Sequence, residues 1–247
     1  MQDRYVGDIG DFVKLAMLRA PMPGERLGVA WWLYPDEAHN ADGRHISYLR
    51  SPGQWRAYDT DLFDGLAVVV ANGRRQVRAL QDAGLLPQAE FCDEIIPTNG
   101  TPAERRVGRA AWFGRVQARL AGCSIVFADP DNGLETAGFS PGARVSGKCI
   151  SLDEVTALAA PGRTLVIYHH QTRRKGGHIA ELAYWADRLR AQGFPTVDAI
   201  RSRPFSARAF FILGAPAPLR ARARQFAARW RGHLSWHEDV PLDDPQP

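Results

Sequence analysis

The residues with the chemistry to make a site in this chain are carboxylates and histidines that fall just past apolar runs. The clearest case is CSIVFADPDNGLE (Cys123–Glu135). An apolar strand that stops at Asp129 and Pro130 and continues through Asp131, Asn132 and Glu135 puts three carboxylates at the mouth of a sheet, where open α/β folds bind ligands. Asp129, Asp131 and Glu135 could hold a hard divalent cation, Mg or Mn. Alternatively, Asp129 could accept a hydrogen bond from a substrate amine that Asn132 orients. The same segment also makes a sound turn. A second apolar run, TLVIYHH (Thr164–His170), ends in two histidines. Side chains alternate along a strand, so only one of the two can readily serve the site, and His169 or His170 is its acid or base, with His169 taken as the catalytic candidate.

Near the start, YVGDIGDFVK (Tyr5–Lys14) spaces Asp8, Asp11 and Lys14 three residues apart, on one side of a helix that begins near Asp8. An ordinary cap followed by surface charges would read the same way. After the run GVAWWLYP, the residues Asp36, Glu37, His39, Asn40, Asp42 and His45 crowd into ten positions, denser than a turn requires. Lys14, Lys148 and Lys175 are the only lysines among many arginines. The basic clusters are QTRRKGGH, IRSRPFSAR and LRARARQFAARWR, in which Arg173, Lys175 and Arg208 are candidate phosphate contacts and the others could equally be a solvated surface.

Helices and strands must position these groups. Gly10–Ala20 reads as a helix closed by PMPG, Leu27–Tyr34 as a buried strand, and Asp61–Ala71 and Gly73–Gly84 as helices. Phe91–Ile96 is a short strand, Ala103–Ala121 a long helix and Cys123–Ala128 a strand. GFSPGARVSG is a mobile loop. Ser151–Ala160 is a helix with a Ser151/Glu154 capping box. Thr164–Tyr168, Thr196–Ile200 and Ala209–Leu213 are strands, Ile179–Gln192 and the basic stretch 218–231 are helices, and PLDDPQP is a frayed tail. This alternation predicts a doubly wound, mostly parallel, Rossmann-like sheet in one α/β domain over residues 1–247, with a short helical motif at 1–20.

With 45% apolar and 23% charged residues over 247 positions, the chain has ordinary globular composition and enough apolar material for a core. Its apolar runs are too short to span a bilayer, and the first residues lack the basic flank and apolar core of a signal segment, so a cytoplasmic protein is expected. Cys92, Cys123 and Cys149 are too few and too far apart for a disulfide framework or a zinc site and are expected to be free thiols. The formal charge of +4 fits a nucleic acid or nucleotide partner, and no membrane.

In the order of these elements the chain resembles the large-subunit ribosomal RNA adenine-N6 methyltransferases. Gly7, Asp11 and Lys14 match that family's G-x-x-x-D-x-x-K segment, and Asp129 and Pro130 match the start of its Asp-Pro-Pro-Tyr strand end. The chain departs from the family at YPDEAHNADG, where a Gly-x-Gly turn is usual, and at Asp131 and Asn132, which replace proline and the base-stacking aromatic. It is also similar to bacterial proteins of unknown function that carry YVGDIGDF and DPDNGLE. The methyltransferase resemblance implies a three-layer methyltransferase-type sandwich with S-adenosylmethionine near Asp8, Asp11, Asp36 and Asp42. Asp129, Asp131, His169 and Lys14 would form the reacting centre. Three readings stand: a methyltransferase-fold enzyme acting on a nucleic acid or nucleotide, a metal-dependent phosphoesterase or nuclease, and a binding module without catalysis. The first two place Asp8, Asp11, Lys14, Asp36, Asp129, Asp131, Glu135 and His169 around one pocket.

Overall fold

The computed structural model of the protein describes residues 1–20, 25–37 and 43–241. PMPG, the crowded positions His39, Asn40 and Asp42, and residues 242–247 of the expected tail lie outside the described residues. Strands β1 (Leu27–Ala30), β2 (Glu90–Cys92), β3 (Ile125–Ala128), β6 (Thr164–His170), β7 (Val197–Ser202), β8 (Arg208–Leu213) and β9 (Leu234–His237) form one sheet, in the order β2-β1-β3-β6-β8-β7-β9. The four from β2 to β6 run parallel, while β8 pairs antiparallel with both β6 and β7, and β9 antiparallel with β7. The sheet is therefore mixed, parallel on the side that carries the Asp-Pro strand end. A two-residue parallel ladder joins β4 (Gly133–Leu134) to β5 (Cys149–Ile150).

Alternation along the strands builds a core on each face of this sheet. Val29, Phe127, Val166, Phe210 and Ile212 pack with helices α1 (Ile9–Arg19), α3 (Thr60–Ala71), α4 (Val77–Asp82) and α8 (Ala217–Arg229). The short helix α2 (Pro52–Trp55) adds Trp55 to that face. On the other face, Ala30, Val126, Ile167, Phe211 and Leu213 pack with α5 (Pro102–Arg119), α6 (Leu152–Leu158) and α7 (Gly177–Ala191). The result is a three-layer α/β/α arrangement, compatible with a Rossmann-like fold.

Most elements fall where the sequence places them, including the Ser151/Glu154 capping box on α6. The differences are local. The run Leu27–Tyr34 is a ladder strand only to Ala30, and the chain turns at Trp32 (φ 46°), whose ring packs edge-on against Trp112. Pairing of Phe91–Ile96 stops at Cys92. In place of one helix over 73–84, a turn leads to the short α4. The stretch read as a mobile loop contains a 3-10 turn at Arg144–Lys148 that leads into β5. Cys92, Cys123 and Cys149 are free thiols, and no described helix is long and apolar enough to cross a membrane.

Candidate active site

Chain order places the site. From β1 the chain goes to β2 on one side and then to β3 on the other, so strand order reverses between β1 and β3, where a crevice opens at the carboxyl ends. Residues 1 and 2 fill that crevice. The Met1 nitrogen donates to Asp129 O (3.0 Å) and Trp32 O (3.3 Å), Tyr34 N donates to Met1 O (2.8 Å), and Gln2 Nε2 donates to Asp131 Oδ2 (2.6 Å).

Beside the filled crevice, α1 enters the site with its amino end. Asp8 is its cap and accepts from Gly10 N (2.7 Å) and Asp11 N (3.2 Å). Gly7 precedes the cap at φ 80°, and a Cβ there would collide with Val70, so only glycine can make this approach. Every residue from Ile9 to Leu18 is buried, so α1 is a core helix, which is why its polar groups need partners inside the protein. Lys14 Nζ finds two, Asp129 Oδ2 at 2.7 Å and Asp11 Oδ1 at 3.0 Å, and it lies 5.5 Å from the centre of the Tyr168 ring. All three charged side chains are 6% exposed or less, so this cluster of two carboxylates and one ammonium is closed to bulk water.

Burial disfavours the Lys14 ammonium, but Asp11 and then Asp129 outweigh it and raise its pKa above the ordinary lysine value. Burial pushes the Asp11 and Asp129 carboxyls up, and Lys14, joined at Asp129 by the Met1 ammonium, offsets only part of that rise. Burial likewise lifts the Tyr168 phenol to about 12.

A cavity of about 340 Å³ adjoins this cluster, within the usual range for small-ligand pockets. Asp8, Asp11, Lys14, Asp129, Asp131 and Arg208 all line it, together with Asn132, Tyr168, His170, His45 and Ser206. Nine of the residues singled out in the sequence, His45, Asn132 and His170 among them, thus meet in one place, drawn from positions 8 to 208. Arg208 is 5% exposed, donates through Nη1 to Pro204 O (2.9 Å) and Ser206 O (3.1 Å), and makes no ion pair within 4.0 Å among the described residues.

Other expected members are elsewhere. His169 is not at the cavity. Tyr168 lies over Lys14, so the next side chain must point to the opposite layer, and His169 packs there against Trp185 and Phe211. Leu134 N donates to His169 Nδ1 (3.2 Å), which leaves Nε2 to donate to Glu181 Oε1 (3.3 Å). His170, one residue on, faces the cavity in register with Arg208. Glu135 is turned away: its Oε2 accepts from Leu152 N at the start of α6 (3.1 Å), and Oε1 pairs with Arg188 on α7 (3.2 Å). Asp36 accepts from Arg4 N (3.1 Å) and borders a separate hollow with Glu37 and Lys148. Arg173 and Lys175 are exposed on the loop before α7 and do not line the cavity, while Asp42 lies outside the described residues. On the basic helix, Arg220 pairs with Asp198 (2.6 Å), Arg222 with Glu25 (3.9 Å) and Arg224 with Glu238.

Tyr168, Ser206 and Met1 line the cavity without having been singled out in the sequence. Tyr168 carried a usable signal, because it shares its strand face with His170 two residues on. No group of three or more His, Cys, Asp or Glu among the described residues is placed to hold a metal ion. No protein-family model and no curated protein matches the sequence.

Proposed function

We propose that this chain is an enzyme acting on a nucleic acid or nucleotide, with methyl transfer from S-adenosylmethionine to a base amine as its reaction. The carrying observation is the 2.7 Å bond between Lys14 and Asp129. The two motifs behind the methyltransferase resemblance, one at residues 7–14 and the other at 129–130, are distant in sequence and join in one buried ion pair at the edge of a ligand-sized cavity.

The donor set supports a zwitterionic cofactor in that cavity rather than beside Asp36. Asp8 and Asp131 offer carboxylates to an ammonium and a sulfonium, and Arg208 offers a buried guanidinium to a carboxylate. When bound, S-adenosylmethionine supplies the methyl group. Asp129 accepts a hydrogen bond from the attacking amine and Asn132 orients it. Because burial raises the Asp129 pKa, its carboxylate is a better acceptor than an exposed one for the proton the amine sheds as the new N–C bond forms. Lys14 is a positioning residue that fixes the carboxylate. The metal-dependent phosphoesterase reading loses its third ligand, since Glu135 is committed to α6 and Arg188.

Calorimetry with S-adenosylmethionine, Mg²⁺ and Mn²⁺, followed by an assay of labelled methyl transfer to RNA, DNA and nucleotides, tests the proposal. Saturable S-adenosylmethionine binding with transfer is the expected result. Metal binding without S-adenosylmethionine binding would overturn it.

A further inference from the structure

The turn between β7 and β8 holds a feature that packing does not require. Ser206 N donates to Pro204 O (2.7 Å) across Phe205, whose φ is 60°. That is the rare, strained form of the γ-turn, and it is carried by a bulky residue that pays a conformational cost for a positive φ. Phe205 is 52% exposed, so burial does not compensate for the strain. Arg208 fixes the turn from below through its bonds to Pro204 and Ser206. Strain at an exposed aromatic beside a ligand cavity calls for a functional explanation.

Phe205 stands between two openings. Its ring is 5.1 Å from His45, which lines the Asp129 cavity. Phe205 also lines a groove of about 390 Å³, together with Trp55, His233, Gln54 and Ser51. Rings and a few hydrogen-bonding groups make such a groove suitable for a planar heterocycle. Arg44, Arg50, Arg203 and Arg231 are exposed, lie one or two residues along the chain from residues lining one of the two openings, and make no ion pair within 4.0 Å among the described residues. Charge therefore favours a phosphate-linked occupant over a neutral aromatic one.

The geometry points to Phe205 as the stacking platform for the base that neighbours the one presented to Asp129, with the groove beyond it as that base's subsite. The substrate is then a single-stranded polynucleotide, not a mononucleotide. This inference deepens the proposed function and rests on it in one respect, that a base reaches Asp129. Base stacking on a protein ring is tolerant of sequence, so single-strandedness, more than sequence, is what the groove selects.

The test is fluorescence anisotropy of a short labelled single-stranded RNA or DNA, with a mononucleotide measured by calorimetry alongside. Phe205→Gly removes the ring while suiting the positive φ, so its thermal midpoint is expected to equal or exceed wild type. Its affinity for the single strand is expected to fall roughly 5- to 150-fold, the range for loss of one stacked base, with mononucleotide affinity little changed. Phe205→Tyr keeps a ring and is expected to bind the single strand as wild type does. Equal affinity of Phe205→Gly and wild type, or equal losses in the glycine and tyrosine variants, would overturn the inference. Methyl transfer measured on the same samples separates the two proposals. Ring-dependent binding without transfer leaves the groove standing and removes the reaction, and transfer with ring-independent binding does the reverse.

Discussion

Lys14 bonds Asp11 and Asp129 at once, and its bridging place between two carboxylates makes substitutions in this cluster unequal. Lys14→Met leaves the two buried carboxylates with only the Met1 ammonium, which bears on Asp129, and is expected to cost about 3–5 kcal/mol at neutral pH. The cost should be smaller near pH 4, because a carboxyl whose folded pKa is raised is stabilising when protonated, and that stability is lost as pH rises above its unfolded value of 3.8. Urea denaturation at the two pH values checks this, and equal losses would mean that the carboxylates are not confronting each other. Asp129→Asn, by contrast, leaves Lys14 paired with Asp11. It is expected to keep a cooperative thermal transition while abolishing the proposed methyl transfer. Loss of that transition would identify Asp129 as a structural residue of the turn.

At the level of elements, strands followed by polar punctuation were readable because they are buried on both faces, as Ile125–Ala128 and Thr164–Tyr168 are. What sequence could not convey was the direction of single side chains past a strand end. Glu135 was grouped with Asp129 by proximity, but Gly133 at φ 97° turns the chain beneath His169, where a Cβ would come within 2.6 Å of the His169 Cα, and Glu135 is carried to α6. The ladders β4, β5 and β9 were missed because two to four residues carry too little periodicity to register. His169 proves to be a tie between layers. Its Nε2 and the Thr172 N–H and hydroxyl all reach Glu181 on α7. Burial alone would raise the Glu181 pKa, but the bonds from His169 and Thr172 prevail and hold it down to about 2. A lowered carboxylate gives stability that is present above its unfolded value of 4.5 and is lost as pH falls toward 2. Glu181→Gln is therefore expected to lower stability at pH 7 and to flatten the acid limb of the stability profile. Parallel acid limbs for variant and wild type would show that α7 is held by its apolar face alone.

Over the whole molecule, the excess of positive charge is spread unevenly between paired and unpaired arginines. The basic helix looks like a polyanion surface in sequence, yet Arg220, Arg222 and Arg224 face Asp198, Glu25 and Glu238, while Leu219, Phe226 and Trp230 are buried in the core. The exposed pairs contribute little energy, Arg220 holds the buried Asp198 through two bonds, and all three cancel the local field. Of the exposed arginines that make no ion pair among the described residues, Arg44, Arg50, Arg203 and Arg231 lie one or two residues along the chain from residues lining the two openings. If three or four of them contact phosphates of a single strand, the logarithm of affinity should fall against the logarithm of salt with a slope of roughly −2 to −3. Arg203→Ala should make that slope shallower by about 0.7, and Arg224→Ala should leave it unchanged, because Arg224 is already spent on Glu238. Binding measured from low to physiological salt decides among three outcomes. A slope that responds to Arg224 rather than Arg203 would move the nucleic acid to the basic helix. No binding even at low salt would remove nucleic acid altogether and leave a small anionic metabolite as the ligand of the Asp129 cavity. The slope and variant pattern stated above would place a strand across Phe205.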